Sequence, residues 1–187
     1  MLTYLPPSER QPPKPTEKPW LLLLLAFVWL WPGIFGHDLW KPGEPYLYAA
    51  IDYMVRSGDV WSPSLHGQSA YVSNPPLYLW LGALSKSALS PWLLDGYAAV
   101  RLVTVAAMAL GLACAGGAGR HLLGRRNGRS VVLILLGCIG LVPLGHRMDS
   151  LALTFAGMCL VLYALSLART RVAWAGCLLG AGWVTVF

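Results

Sequence analysis

What most limits the fold of this chain is a recurrence of long uncharged apolar runs. Pro19 to Gly36, Leu102 to Gly119, Ser130 to Gly145 and Ser150 to Ala168 contain no Asp, Glu, Lys or Arg. Each is near the length of about 17 to 25 residues that carries a helix through roughly 30 Å of hydrocarbon, where backbone groups must be satisfied within the segment. A fifth run begins at Val172 and is still uncharged at Phe187, so the chain is expected to be truncated within it. A soluble domain of this length would not be 56% hydrophobic with 12% charged residues. The expected fold is an all-α polytopic membrane protein.

The formal charge of +6 would suit a nucleic-acid partner only if the cations were clustered as a binding patch. Instead they mark the ends of the runs. Arg10, Lys14 and Lys18 precede the first, Arg120, Arg125, Arg126 and Arg129 lie between the second and third, and Arg169 and Arg171 between the fourth and fifth. These segments fall on one side of the membrane, and the positive-inside rule makes that side cytoplasmic. Six of the eight acids, Asp38, Glu44, Asp52, Asp59, Asp95 and Asp149, fall on or near the other face. The expectation is a bacterial inner-membrane protein with a cytoplasmic N-terminus and no nucleic-acid partner. Cys114, Cys138, Cys159 and Cys177 all lie within apolar runs, with no CxxC, and read as small apolar residues.

Along the chain, residues 1–18 hold five prolines and little apolar surface, and read as a disordered cytoplasmic tail. Residues 19–36 read as the first transmembrane helix, an uncleaved signal anchor lacking a small-x-small cleavage site. Residues 37–96 form a long external loop, and 97–187 hold helices 2 to 5. Within the loop, Leu47, Ala50, Ile51, Met54 and Val55 recur at helical spacing, with Asp52 and Arg56 placed as an i, i+4 ion pair. This predicts an amphipathic helix on the membrane surface, opened by Glu44 and Pro45. Pro75 to Ser85 predicts a second interfacial helix, too short to span and carrying Tyr78 and Trp80.

The loop reads His37-Asp38-Leu39-Trp40-Lys41-Pro42-Gly43-Glu44-Pro45-Tyr46, then Ser57-Gly58-Asp59, Leu65-His66-Gly67 and Asn74-Pro75-Pro76-Leu77-Tyr78-Leu79-Trp80. It resembles the first external loop of the ArnT-like and protein O-mannosyltransferase-like membrane glycosyltransferases of the GT-C type. The likeness continues through Ala99-Val100-Arg101-Leu102 and Arg147-Met148-Asp149. The resemblance implies a GT-C-like helical bundle, here its N-terminal portion, whose members move a sugar from a polyprenyl-phosphate carrier to an acceptor hydroxyl on a glycan, lipid or protein at the external face. Two positions depart from it. The family's Asp-Glu pair after the first span is here Gly43-Glu44, and a lysine that helps hold the carrier phosphate in ArnT-like members is replaced by Asn74.

The chemistry needs a carboxylate to take the acceptor proton and a cation or metal to stabilise the departing phosphate. Glu44 and Asp149 are the candidate carboxylates, as base or as ligands of a divalent metal, with Asp38 a substitute for the missing acid. Arg101 and Arg147 are the external cations, able to grip phosphate in bidentate fashion in place of a lysine. Asn74, Tyr78 and Trp80 complete the candidate substrate-binding set. Each has a plainer role open to it: Glu44 as a helix cap, Asp38 as a solvated loop acid, Asp149 and Arg147 as interfacial charge, Arg101 as a snorkelling anchor, and the aromatics as an interfacial belt. The four histidines lack zinc-ligand spacing. A chain lacking the later helices is expected to be inactive alone. The alternatives are a non-catalytic binding or assembly subunit or degenerate remnant of the same family and, from another class, a transporter piece, disfavoured by the absence of a charge ladder or broken-helix pair in the apolar runs.

Overall fold

A computed structural model of the chain describes residues 19–33, 43–61, 64, 75–90, 92–124 and 127–186. Among the described residues the fold is all-helical, and eight α-helices follow one another. They are α1 (Pro19–Leu30), α2 (Gly43–Ser57), α3 (Pro76–Leu89), α4 (Gly96–Leu123), α5 (Asn127–Leu136), α6 (Leu141–His146), α7 (Leu151–Leu167) and α8 (Val172–Val186). The tail, with Asp38 and Asn74, lies outside the described residues.

Local chemistry explains most of the helix ends. Pro75 and Pro76 open α3, where a missing N–H costs nothing. Gly58, at φ 73°, follows α2 and Gly124, at φ 100°, follows α4, both in the left-handed region that only glycine enters readily. Arg120 and His121 occupy the last turn of α4, where cations complement the helix dipole. The first apolar run is helical only to Leu30 and tightens into a 3-10 turn at Trp31–Gly33.

The third run departs from the single span expected of it. It forms α5 and α6, separated by turns at Gly137 and at Ile139–Gly140. Pro143 supplies the reason. In an uninterrupted helix its ring would clash with the Ile139 carbonyl and forfeit a hydrogen bond, whereas in the first turn of a new helix it is tolerated.

The long α4 is the axis of the fold, packed most extensively against α7 and α5, while α8 lies on α7 and α3 on α4. Only small residues allow these crossings. A Cβ on Gly111 would sit 3.3 Å from the Ala156 Cα, and one on Gly157 would sit 2.8 Å from the Gly182 carbonyl oxygen. The amphipathic helix α2 does not spread its apolar face on a surface as expected. Leu47, Ala50, Ile51 and Met54 are buried in a core shared with Tyr78, Leu79, Val100 and Met148, because α3 stacks between α2 and α4. Cys114 and Cys159 are buried together between α4 and α7, whereas Cys138 and Cys177 are exposed.

Candidate functional site

Three stretches far apart in sequence converge at the N-terminal end of α4. From the first turn of α2 comes Glu44, fully buried at 0% exposure; from the first turns of α4 comes Arg101, at 4%. The Arg101 guanidinium donates to Glu44 Oε2 at 3.3 Å. The other carboxylate oxygen, Oε1, accepts the backbone N–H of Met148 at 2.6 Å, which locks the α6–α7 connection onto α2. A buried carboxylate is stable only with such partners, and here both of its oxygens have one.

One residue to either side of Met148 stand Arg147 and Asp149, which form an ion pair through Arg147 Nη2 and Asp149 Oδ2. Asp149 Oδ1 accepts the Leu151 N–H at 3.0 Å, so this acid also organises the start of α7. The pair is more open than its neighbour, with Arg147 at 41% and Asp149 at 14% exposure. Tyr78 enters the same region from α3, fully buried, its hydroxyl 2.8 Å from Thr104 Oγ1. Burial, reinforced by the nearby charges of Asp149 and Glu44 and opposed by the Thr104 hydrogen bond and Arg101, pushes its phenol well above the ordinary range. Tyr78 is therefore a neutral hydrogen-bonding group.

Of the residues singled out in the sequence, Glu44, Arg101, Tyr78, Arg147 and Asp149 come together. Trp80 does not join them. It stands two residues past Tyr78, on the opposite side of α3, where its indole N–H donates to the Val60 carbonyl at 2.9 Å and its ring meets Trp61 edge-on at 5.5 Å. There it lines a separate apolar cleft of about 510 Å³ with Met54 and Leu84. Arg101 is not a snorkelling anchor, since its guanidinium turns into the core. Among the described residues no three of His, Cys, Asp and Glu gather as a metal-ion ligand set. Glu44 engages one oxygen with Arg101 and the other with the Met148 N–H.

Sequence reasoning missed Thr104 and the Met148 N–H. Thr104 had a signal, being the single hydroxyl residue between Arg101 and Gly119 and one helical turn from Arg101. Nothing in the sequence marks one backbone N–H among many. A second network was half foreseen. Arg56 pairs with Asp52 at 2.8 Å as the spacing required, and Lys86 of α3 also binds Asp52 while lying 4.3 Å from the Tyr48 ring centroid.

Compared with known proteins, the chain matches no family model, no curated protein and no solved structure.

Proposed function

We propose that this chain is part of a membrane glycosyltransferase of the GT-C type, acting at the external face on a polyprenyl-phosphate sugar. The observation that carries the reading is the gathering of Glu44, Arg101, Arg147 and Asp149 at one pole of an apolar helical bundle. At the other pole of α4 stands Arg120, nineteen residues on from Arg101 and so about 28 Å away along the axis. That separation suits the roughly 30 Å of a bilayer core, and the residues between the two arginines are uncharged. One helix among those described, Gly96–Leu123, is long and apolar enough to cross a membrane, with 61% of its apolar window buried. The outward faces of the shorter helices also favour lipid: Leu23 on α1, Ile134 on α5, Met158 on α7 and Val172 on α8 are each at least 60% exposed.

In the proposed reaction the acceptor oxygen attacks the anomeric carbon, the bond from that carbon to the phosphate oxygen breaks, and the carrier phosphate leaves. Asp149 takes the acceptor proton, and Arg147 neutralises the leaving phosphate. Phosphate binding by Arg147 loosens its hold on Asp149, which frees the base as the donor arrives. Glu44 is a positioning residue in this scheme, because its oxygens are committed to Arg101 and Met148. That same closure favours a second reading, a non-catalytic subunit in which the cluster only clasps helices together.

The test, made on a full-length version that carries the later helices, is release of free carrier phosphate from a labelled lipid-linked sugar at matched membrane expression. Asp149→Asn is expected to lower transfer by about 10² to 10⁴, as loss of a general base does. Gly43→Asp, at an exposed position where a Cβ meets nothing within 4 Å, should fold normally and raise transfer. No turnover from the wild type, from Gly43→Asp, or from Gly43→Asp combined with Asn74→Lys would leave the non-catalytic subunit as the answer.

A further inference from the structure

The C-terminal half of α2 and Ser64 line a cleft of about 410 Å³, a size within the roughly 300 to 1,000 Å³ typical of small-molecule sites. Asp52, Tyr53 and Arg56 bring a carboxylate, a phenol ring and a guanidinium to it. Arg56 holds Asp52 Oδ2 through Nε at 2.8 Å, yet its side chain is 80% exposed, so its terminal Nη donors remain for a ligand. Lys86 holds Asp52 Oδ1 but does not line the cleft. Each carboxylate oxygen has two lone pairs, so both oxygens of Asp52 keep acceptor capacity. Of the two serines in the lining, Ser57 donates to the Tyr53 carbonyl at 2.7 Å and accepts the Asp59 N–H at 3.2 Å. Ser64 does neither. It is 8% exposed, and its buried Oγ has no hydrogen-bond partner. A buried hydroxyl in that state is unfavourable, and this one stands in the wall of a cleft whose other polar groups have capacity to spare.

We propose that this cleft binds one ring of a neutral sugar. Adjacent sugar hydroxyls both donate and accept, so one donates to Asp52, its neighbour accepts from an Arg56 Nη, and a third pairs with Ser64 Oγ. The apolar C–H face of the ring lies against Tyr53. An anion suits the cleft less well, because the Asp52 carboxylate stands beside the guanidinium that would hold it and offsets its charge. Asp52 is eight residues past Glu44, about 12 Å along α2, so the site is separate from the cluster assigned to the reaction. The proposal goes beyond the transferase reading and stands whether or not the chain transfers a sugar.

The experiment is saturation-transfer NMR on the full chain in lauryldimethylamine oxide micelles, which carry no sugar, with the methyl glycosides of glucose, galactose and mannose as probes. At least one glycoside should receive saturation at its ring protons. Arg56→Gln should weaken its binding about 10-fold, because charged hydrogen-bond donors are lost. Ser64→Ala is the sharper variant. It removes a hydroxyl that has no partner in the chain, so the thermal midpoint of the sugar-free protein should hold or rise while glycoside binding weakens about 3-fold. Arg171→Gln, which removes an exposed cation between α7 and α8, should change neither. Transfer to none of the three glycosides, undiminished binding by Arg56→Gln and Ser64→Ala, or displacement of the glycoside by millimolar inorganic phosphate would each overturn the proposal. Should the variants fail to fold, wild type carries the test. A photoreactive derivative of the bound glycoside must label α2 between Ala49 and Ser57, and labelling spread evenly over the helices would overturn the site.

Discussion

Glu44 and Arg101 form an ion pair almost without water, and such pairs are most revealing when only half is removed. Arg101→Met should cost about 3 to 5 kcal/mol, because it leaves a buried carboxylate without its cation. Glu44→Leu combined with Arg101→Met should cost much less than the two single changes together, as a double-mutant cycle of denaturant unfolding in detergent would read. Additive costs would mean that the two side chains do not act as a pair. The Asp52–Lys86 contact has a different signature, in pH. Burial disfavours the charge on Asp52, but hydrogen bonding and attraction from Lys86, and then from Arg56, outweigh it and hold the carboxyl below its ordinary 3.8. Burial likewise works against the Lys86 charge, and its bonds to Asp52 and Tyr48 win, so its ammonium is held above the ordinary 10.5. The Asp52 contribution is therefore fully present above pH 3.8 and lost as pH falls through the depressed folded value; the Lys86 contribution is fully present below pH 10.5 and lost as pH rises through the raised folded value. Thermal midpoints of wild type should fall below about pH 4 more steeply than those of Asp52→Asn. Parallel acid limbs would remove the pair from the account of stability.

Between elements, glycine decides how closely helices approach. Gly157 of α7 and Gly182 of α8 face each other, and a Cβ on Gly182 would lie 2.9 Å from the Gly157 carbonyl oxygen. Backbone cannot yield as a side-chain end can, so Gly157→Leu should destabilise by at least the ~1 to 3 kcal/mol typical of overpacking. Gly176→Leu is the control on α8, since a Cβ there meets nothing within 4 Å. Unfolding midpoints should separate the two variants; equal midpoints would mean that α7 and α8 do not rely on this crossing. α2 and α3 carry the same lesson in reverse. The periodicity of α2 and the apolar character of α3 were plain in the sequence, but not what would cover them, and α3 lies between α2 and α4.

For the whole molecule the orientation of α4 governs every functional reading, because it assigns Arg101 to one side and Arg120 to the other. Single cysteines at Trp92 and Asn127, in a background without the native cysteines, report on it directly. Trp92 is 89% exposed in the connection before α4, so a cysteine there is open to the reagent. An impermeant thiol reagent should label Trp92→Cys but not Asn127→Cys in intact cells. The reverse pattern would place the Glu44–Arg101 cluster in the cytoplasm and defeat a reaction at the external face. With the expected pattern, the transferase and the non-catalytic subunit both survive, and carrier-phosphate release separates them.

The sequence by itself determined the helical class, the five apolar runs and the polarity of charge along the chain, because these depend on composition and on periods shorter than a helical turn or two. It also placed Glu44 in the first turn of α2 and paired Asp52 with Arg56, both consequences of local spacing. Only the tertiary structure decided that Glu44 faces inward to Arg101 and the Met148 N–H, that Lys86 joins Asp52, and that Trp80 turns away from Tyr78. Those contacts cross 57, 104 and 34 residues in the first three cases and 20 for Trp80 with Val60. At such separations pairing follows from which helix faces meet, and here those faces meet in the apolar core that α2, α3 and α4 share, where Gly82 of α3 leaves room for Ile51 and Val100.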